Sequence, residues 1–312
     1  GFAPISRESM LLANNALLVV TAGLILLGTL YPLFLDALNL GKISVGPPYF
    51  NVAFLVPTIP LVFLLAVGMH ASWKRARFES VKRPLTVLFV AALALGLIVP
   101  LMLYGGEHVM SVIGFTAGFW VIGSALLEPV SRLVKRQSLS AGVLGMSLAH
   151  IGIGLFVLGV TGVESYRIER DLSLRPGETT ELQGYEFRFT GTRNVQGPNY
   201  DAIEGEFIVT RDGQEVTVLR PQKRVYRVQR SPMTEAGIHG QWNRDLFVAL
   251  GEPLGDGAWS LRVQYKPLIS FIWLGAFVMS IGGIVAIFDR RYRVRVTKGA
   301  AEAVGRGTAA AT

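Results

Sequence analysis

Long apolar runs separated by short polar breaks dominate the first half of the chain. A helix needs about 20 apolar residues to cross the hydrocarbon layer of a bilayer. Six runs meet that length: Met10–Leu35, Ala53–Trp73, Leu85–Tyr104, Val109–Val130, Leu139–Val163 and Pro267–Phe288. Pro57 and Pro60 fall inside the second run and are expected to interrupt or kink it. Asn14 and Asn15, near the start of the first, are expected to hydrogen-bond across helices.

Between the fifth and sixth runs the period changes. In "YEFRFTGT", Tyr185, Phe187 and Phe189 alternate with Glu186, Arg188 and Thr190, which predicts a half-buried strand. "GEFIVTRDGQEVTVLRP" holds two strand-like runs around Asp212-Gly213, a strong hairpin signal. "KRVYRVQ", "DLFVALG" and "SLRVQYKP" supply further short runs. About six or seven strands with Gly/Pro turns predict a small antiparallel sandwich or barrel. The fold class expected is therefore a mainly α membrane protein with about six transmembrane helices and one outer antiparallel β domain. The divisions are residues 1–163, a five-helix bundle; 164–266, the β domain; 267–288, the last helix; and 289–312, a basic tail.

Composition supports this division. Hydrophobic residues make up 51% and charged residues only 17%, too apolar for an ordinary soluble domain. Cysteine is absent, so the chain has no disulfide and no thiol chemistry of its own. The net charge of +8 is explained by where the charges lie. Lys74, Arg75, Arg77, Lys82 and Arg83 form one group, Arg132, Lys135 and Arg136 a second, and Arg290, Arg291, Arg293, Arg295 and Lys298 a third. The opposite short loops hold one basic residue, Lys42. The positive-inside rule puts the three groups and the start of the chain in the cytoplasm, and the β domain outside. The charge is a topology signal, and no nucleic-acid partner is expected. The opening "GFAPISRESM" has neither an initiator methionine nor a signal-peptide pattern, so the sequence reads as part of a longer polytopic protein. The closing "KGAAEAVGRGTAAAT" is expected to be a disordered tail.

Four histidines carry the candidate chemistry. His70 lies at the cytoplasmic edge of the second run, His108 in a tight outer loop and His239 in the β domain; ordinary interfacial, solvated or turn roles account for all three. His150, in "SLAHIGIGLFVLGV", differs because it falls near the middle of the fifth run. Ionisable groups at that depth face the protein interior and serve ion pathways, relays or cofactors. At 100° per residue, Gly145, Gly152 and Gly159 form a stripe away from His150, suited to close packing against another helix. Gly154 is one turn beyond His150 on its own face and leaves room beside the imidazole for a flat ligand. Three roles for His150 stay open on these grounds: an iron or other metal ligand, a structural hydrogen-bonding histidine, or a proton relay. No Ser/His/Asp set, clustered metal ligands or phosphate-cradling glycine loop is visible.

"SRESMLLANNALLVV", "GKISVGPPYFN", "LAHIGIG", "SPMTEAGIH", "DLFVALGEP" and "KPLISFIWLGAFVM" follow one another through nearly the whole chain. Together they resemble the C-terminal half of the CcmF family of cytochrome c-type biogenesis proteins; NrfE-like paralogues share the architecture. The resemblance implies a haem lyase acting within a multi-subunit complex of a bacterial inner membrane, with its β domain in the periplasm. It implies that haem is taken from the chaperone CcmE and attached through thioether bonds to the CxxCH motif of apocytochrome c, with CcmH/CcmI-type subunits as partners. It also implies a buried haem b with two histidine ligands. His150 occupies the place of one, in an "AHIG"-like stretch; the second ligand, the tryptophan-rich outer motif and the outer histidines would lie upstream of Gly1. The five tryptophans here are scattered, so no outer haem platform is assigned to them, and no catalytic residue is assigned within the chain. The competing function classes are a transporter component, which would need several polar spans and broken helices, and a haem-free membrane scaffold whose β domain binds a partner.

Overall fold

A computed structural model describes residues 6–71, 79–105, 108–228 and 230–289. The basic clusters Lys74, Arg75 and Arg77 and Arg290–Lys298 lie outside the described residues, as do the first five residues and the alanine-rich end.

Among the described residues, six helices are long and apolar enough to cross a membrane: α1 (Arg7–Ala37), α2 (Pro47–Gly68), α3 (Glu79–Tyr104), α4 (Val109–Val134), α5 (Ala141–Tyr166) and α6 (Ile269–Ile287). The local signals at their ends are ordinary. Ser6 caps α1, its hydroxyl accepting from the Ser9 amide at 3.2 Å. Pro47 and Pro48 open α2, where a proline's missing N–H costs nothing. This start lies before the predicted Ala53, and α2 ends at Gly68, before the predicted Trp73. Pro57 and Pro60 do not break α2, which stays one helix of 22 residues. Asp289 accepts from the Gly142 amide at 2.7 Å, satisfying an orphan donor in the first turn of α5.

Two compact units divide the chain, Gly1–Val157 with Leu274–Thr312, and Leu158–Trp273. In the first, α1 packs on α2, α3 on α4, and α2 on α4. The α2–α4 seam buries Val62, Ala66, Trp120 and Val121 and is tied by side chains. The Trp120 indole donates to the Phe63 carbonyl at 3.2 Å and the Ser124 hydroxyl to the Ala66 carbonyl at 2.6 Å. The amide of Asn14 meets Asn15 on the same helix, at 3.3 Å, rather than a partner helix.

The second unit holds ten strands among the described residues, more than the runs in the sequence suggested. They are β1 (Ile168–Leu174), β2 (Thr179–Leu182), β3 (Tyr185–Gln196), β4 (Tyr200–Arg211), β5 (Gln214–Leu219), β6 (Gln222–Tyr226), β7 (Pro232–Glu235), β8 (Gly237–Gly240), β9 (Arg244–Gly255) and β10 (Ala258–Pro267). One sheet runs β1-β10-β9-β8; the other runs β2-β3-β4-β6-β7, with β5 also on β4. The strand pairings among the described residues are all antiparallel. β4 is shared along its length: its first half pairs with β6 and its second with β5. The β4–β5 hairpin turns at Asp212 (φ 52°) and Gly213 (φ 77°), where both positions need left-handed backbone. Phe187, Phe189, Phe207, Val209, Leu246, Val248 and Val263 fill the core, all at or below 1% exposure.

Candidate functional site

The candidate chemistry of this chain lies on α5. His150 lies nine residues into that helix, about 14 Å along its axis at 1.5 Å per residue. Its ring is half-buried. Nδ1 stands 2.7 Å from the carbonyl oxygen of Met146 one turn earlier. A carbonyl only accepts, so Nδ1 is the donor in this bond. Nε2 has no hydrogen-bond partner among the described residues. The ring lines a cleft of about 220 Å³ between α1, α2 and α5, walled by Met10, Leu61, Leu65, Met69 and Met146, with Arg7 and Asn14 as further polar contributors. A neutral imidazole held through Nδ1, with Nε2 open to an apolar space, is the arrangement a metal-ligating histidine uses.

The glycines on either side of His150 have separable roles. A Cβ on Gly145 would come within 2.7 Å of the Gly282 carbonyl, one on Gly152 within 2.6 Å of the Gly275 carbonyl, and one on Gly159 within 2.7 Å of the Ile272 amide. The predicted stripe is therefore the contact between α5 and α6, with backbone against backbone. Gly154 differs from its expectation. A Cβ there would meet Ile122 and, at 2.9 Å, the Gly118 carbonyl. The bulk it omits is taken up by α4, so Gly154 serves helix packing and does not hold open a space beside the imidazole.

The other histidines are accounted for by nearby groups. His70 Nε2 lies 3.1 Å from the Ser124 carbonyl and 3.0 Å from its hydroxyl, which extends the α2–α4 seam. His108 is the N-cap residue of α4, its amide donating to Ser111 Oγ at 3.3 Å. His239, on β8, stands 3.4 Å from the Gln241 side chain; burial and the Arg244 charge push its pKa down. No group of three or more His, Cys, Asp or Glu is placed to hold a metal among the described residues. A single histidine therefore offers one coordinating atom.

Sequence reasoning did not pick out the most buried charge. Arg244, at 1% exposure, donates to the Tyr185 hydroxyl at 3.0 Å and to the His239 carbonyl at 3.2 Å. Its guanidinium also lies 4.6 Å from the Tyr185 ring, and Arg211 lies 4.9 Å from the same ring. Arg211 donates to that hydroxyl at 2.9 Å. The sequence carried only a faint sign of this, an arginine at the head of an alternating strand.

A family model described as the CcmF C-terminal beta-sandwich matches residues 165–267. The chain is 43% identical to a cytochrome c-type biogenesis protein CcmF of Pseudomonas fluorescens, over 99% of its own length and 48% of that protein. It is 40% identical to the CcmF of Escherichia coli strain K12, over 96% of this chain and 46% of that one. Identity to an NrfE of Haemophilus influenzae is 31%, over 93% of this chain and 45% of that one. The chain spans about half the length of the curated relatives it matches. A solved structure, cytochrome c heme lyase CcmF, superposes with a TM-score of 0.77 at 22% identity, covering 92% of this chain and 46% of that one. That likeness shows the fold.

Proposed function

We propose that the chain is the C-terminal half of a CcmF-type protein and so part of a haem lyase of cytochrome c maturation; its similarity to CcmF proteins and to the CcmF C-terminal beta-sandwich supports the reading. In this reading the whole protein takes haem from the chaperone CcmE and promotes thioether formation with the CxxCH motif of apocytochrome c. It works beside CcmH/CcmI-type subunits in a bacterial inner membrane. A haem b bound in the membrane part supplies one-electron chemistry through its iron.

The observation that carries the reading is the His150 imidazole, tied at Nδ1 to Met146 and open at Nε2 beside an apolar cleft. The donor chemistry suits haem iron: one imidazole nitrogen beside apolar side chains. Nε2 would be the atom that holds the iron. The Met146 carbonyl would fix the orientation of the ring. Met10, Leu61, Leu65 and Met69 exclude water from that side of the ring. Among the described residues, His150 is the histidine that lines the cleft, so any further ligand to the iron would come from elsewhere in the full protein. The β unit would act as an outer docking or scaffolding surface.

The test is His150→Ala in the full-length protein. The bound-haem absorption band should vanish and cytochrome c assembly should fail. An unchanged spectrum with normal assembly would refute haem ligation and favour a haem-free scaffold. Sidedness has its own check: a reporter fused at Gly213, in the exposed β4–β5 turn, should be active only outside the cytoplasm.

A further inference from the structure

The β8–β9 turn sits where a bilayer surface must be. Helix α6 has 19 residues, Ile269–Ile287, with no charged side chain. At 1.5 Å per residue it is about 28 Å long, close to the roughly 30 Å hydrocarbon thickness it has to cross. No slack remains, so Ile269 belongs at the boundary between hydrocarbon and headgroups. Whatever is fastened to the first turn of α6 shares that depth.

The turn Gln241–Trp242–Asn243 is fastened there twice. The Leu268 amide donates to the Asn243 carbonyl at 2.9 Å. The Ser270 hydroxyl donates to the Gln241 carbonyl at 2.9 Å. Leu268 adopts φ +56° at this junction, a left-handed conformation rare for a branched side chain. The two carbonyls flanking Trp242 are thus pinned to the helix start, and the indole between them is 74% exposed. Ile238, on the adjoining strand, is 58% exposed. Its cross-strand neighbour Phe247 lies under the Lys266 ammonium, 4.5 Å from ring centroid to Nζ. An exposed indole in the turn, with an exposed aliphatic side chain and a cation on the adjoining strands, is the composition that interfacial anchors use. The ring takes the apolar side of the headgroup layer, its N–H stays hydrated, and the cation meets lipid phosphate.

We propose that the β8–β9 turn is a lipid-interface anchor. Trp242 lies among phospholipid headgroups, and the lower edge of the β unit is held against the bilayer at a fixed height. The assignment stands apart from haem ligation and holds whichever side of the membrane the β unit occupies.

The full-length protein is reconstituted in phosphatidylcholine–phosphatidylglycerol vesicles, and the Trp242 emission is taken as wild type minus Trp242→Phe. Headgroup-nitroxide lipid should quench this component several-fold more strongly than aqueous iodide does. The buried Trp259 provides an internal standard shielded from both quenchers. Ser270→Ala, which releases the Gln241 carbonyl, should raise iodide access to Trp242 while leaving Trp259 emission unchanged. Free quenching by iodide would put the turn in water and overturn the proposal. Protection from both quenchers would mean that protein covers the turn, and would overturn the lipid assignment equally. Stronger quenching by chain-brominated lipid than by headgroup nitroxide would place the indole in hydrocarbon and overturn the interfacial depth.

Discussion

The β unit and the helical unit bury their apolar surface by different rules. The β unit closes on itself: Phe187, Phe189, Phe207 and Leu246 are fully enclosed, and its buried Arg244 is bonded to Tyr185 and His239. The helical unit leaves large apolar side chains outward, among them Leu12, Val19, Leu33 and Met102, at 62–79% exposure. In water such a surface would aggregate; in lipid it costs nothing. Its polar contacts sit inside, along the Trp120–Ser124–His70 seam. Against that background the open Nε2 of His150 stands out. Every other histidine ring or backbone described above is bonded into a seam, a cap or a turn. On the function proposed above, self-sufficient burial suits the β unit to a scaffold role, and the open coordinating nitrogen in an apolar setting makes α5 the candidate chemical element.

The sharpest way to break this contrast is to exchange lesions between the units. His150→Ala should abolish haem absorption while leaving unfolding of the β unit, followed by Trp259 emission, unchanged. Phe187→Ala should do the reverse. It removes a fully buried ring and should cost the β unit about 3–5 kcal/mol, read as an earlier denaturant midpoint. If Phe187→Ala also removed the haem signal before the β unit unfolded, the division of labour would fail.

A smaller lesion separates packing from chemistry within α5. Gly152→Leu drives a side chain into the Gly275 carbonyl and the Met279 amide, both 2.6 Å from the added Cβ and both backbone. Neither can yield cheaply, so overpacking should destabilise the α5–α6 contact by about 1–3 kcal/mol or more. Gly23→Ala on α1, where nothing lies within 4 Å, is the matched control and should be neutral or slightly stabilising. The measurement is thermal unfolding in detergent for both variants. Equal melting temperatures would mean that the glycine stripe is not the contact described.

Much of this architecture was legible because hydrophobic period is a local property. The six apolar runs became α1 to α6, and Tyr185, Phe187 and Phe189 turned inward as their alternation required. Asp212-Gly213 formed its hairpin because few residue pairs tolerate two successive left-handed positions. What escaped was non-local. β2, β7 and β8 have four residues each, too short to show a period, and exist through their ladders. The start of α2 was displaced because Pro47-Pro48 reads as a turn until the helix behind it is known. At the site, depth singled out His150, but phase alone could not say which helix Gly154 faced. The α4 residues Gly118 and Ile122 occupy that side, a fact set by tertiary packing. The pairing of Nδ1 with Met146 depends on a rotamer that no sequence pattern specifies.

The mildest test of the comparison uses pH, because the β unit also holds a histidine. Burial, reinforced by the Arg244 charge, lowers the pKa of His239 below the ordinary value of about 6.5. Folding therefore disfavours the protonated ring, and the unfolded chain binds more protons between the two pKa values. Stability of the β unit rises with pH through that window. The contribution is fully present above about pH 6.5 and is lost as pH falls through the folded-state pKa. His239→Gln cannot titrate, so its stability should change less than wild type's when the pH is lowered from neutrality into the acid range. Asp245 shifts the opposite way, its pKa raised chiefly by burial. Its folded form holds the proton more tightly, so its contribution is fully present below the ordinary carboxylate range and declines as pH rises through the raised value. Denaturant midpoints of wild type and His239→Gln, followed through Trp259 across that pH span, isolate the histidine term. Identical slopes would show that His239 is as solvated in the folded chain as in the unfolded one, and that the β unit carries no titrating group of consequence on β8.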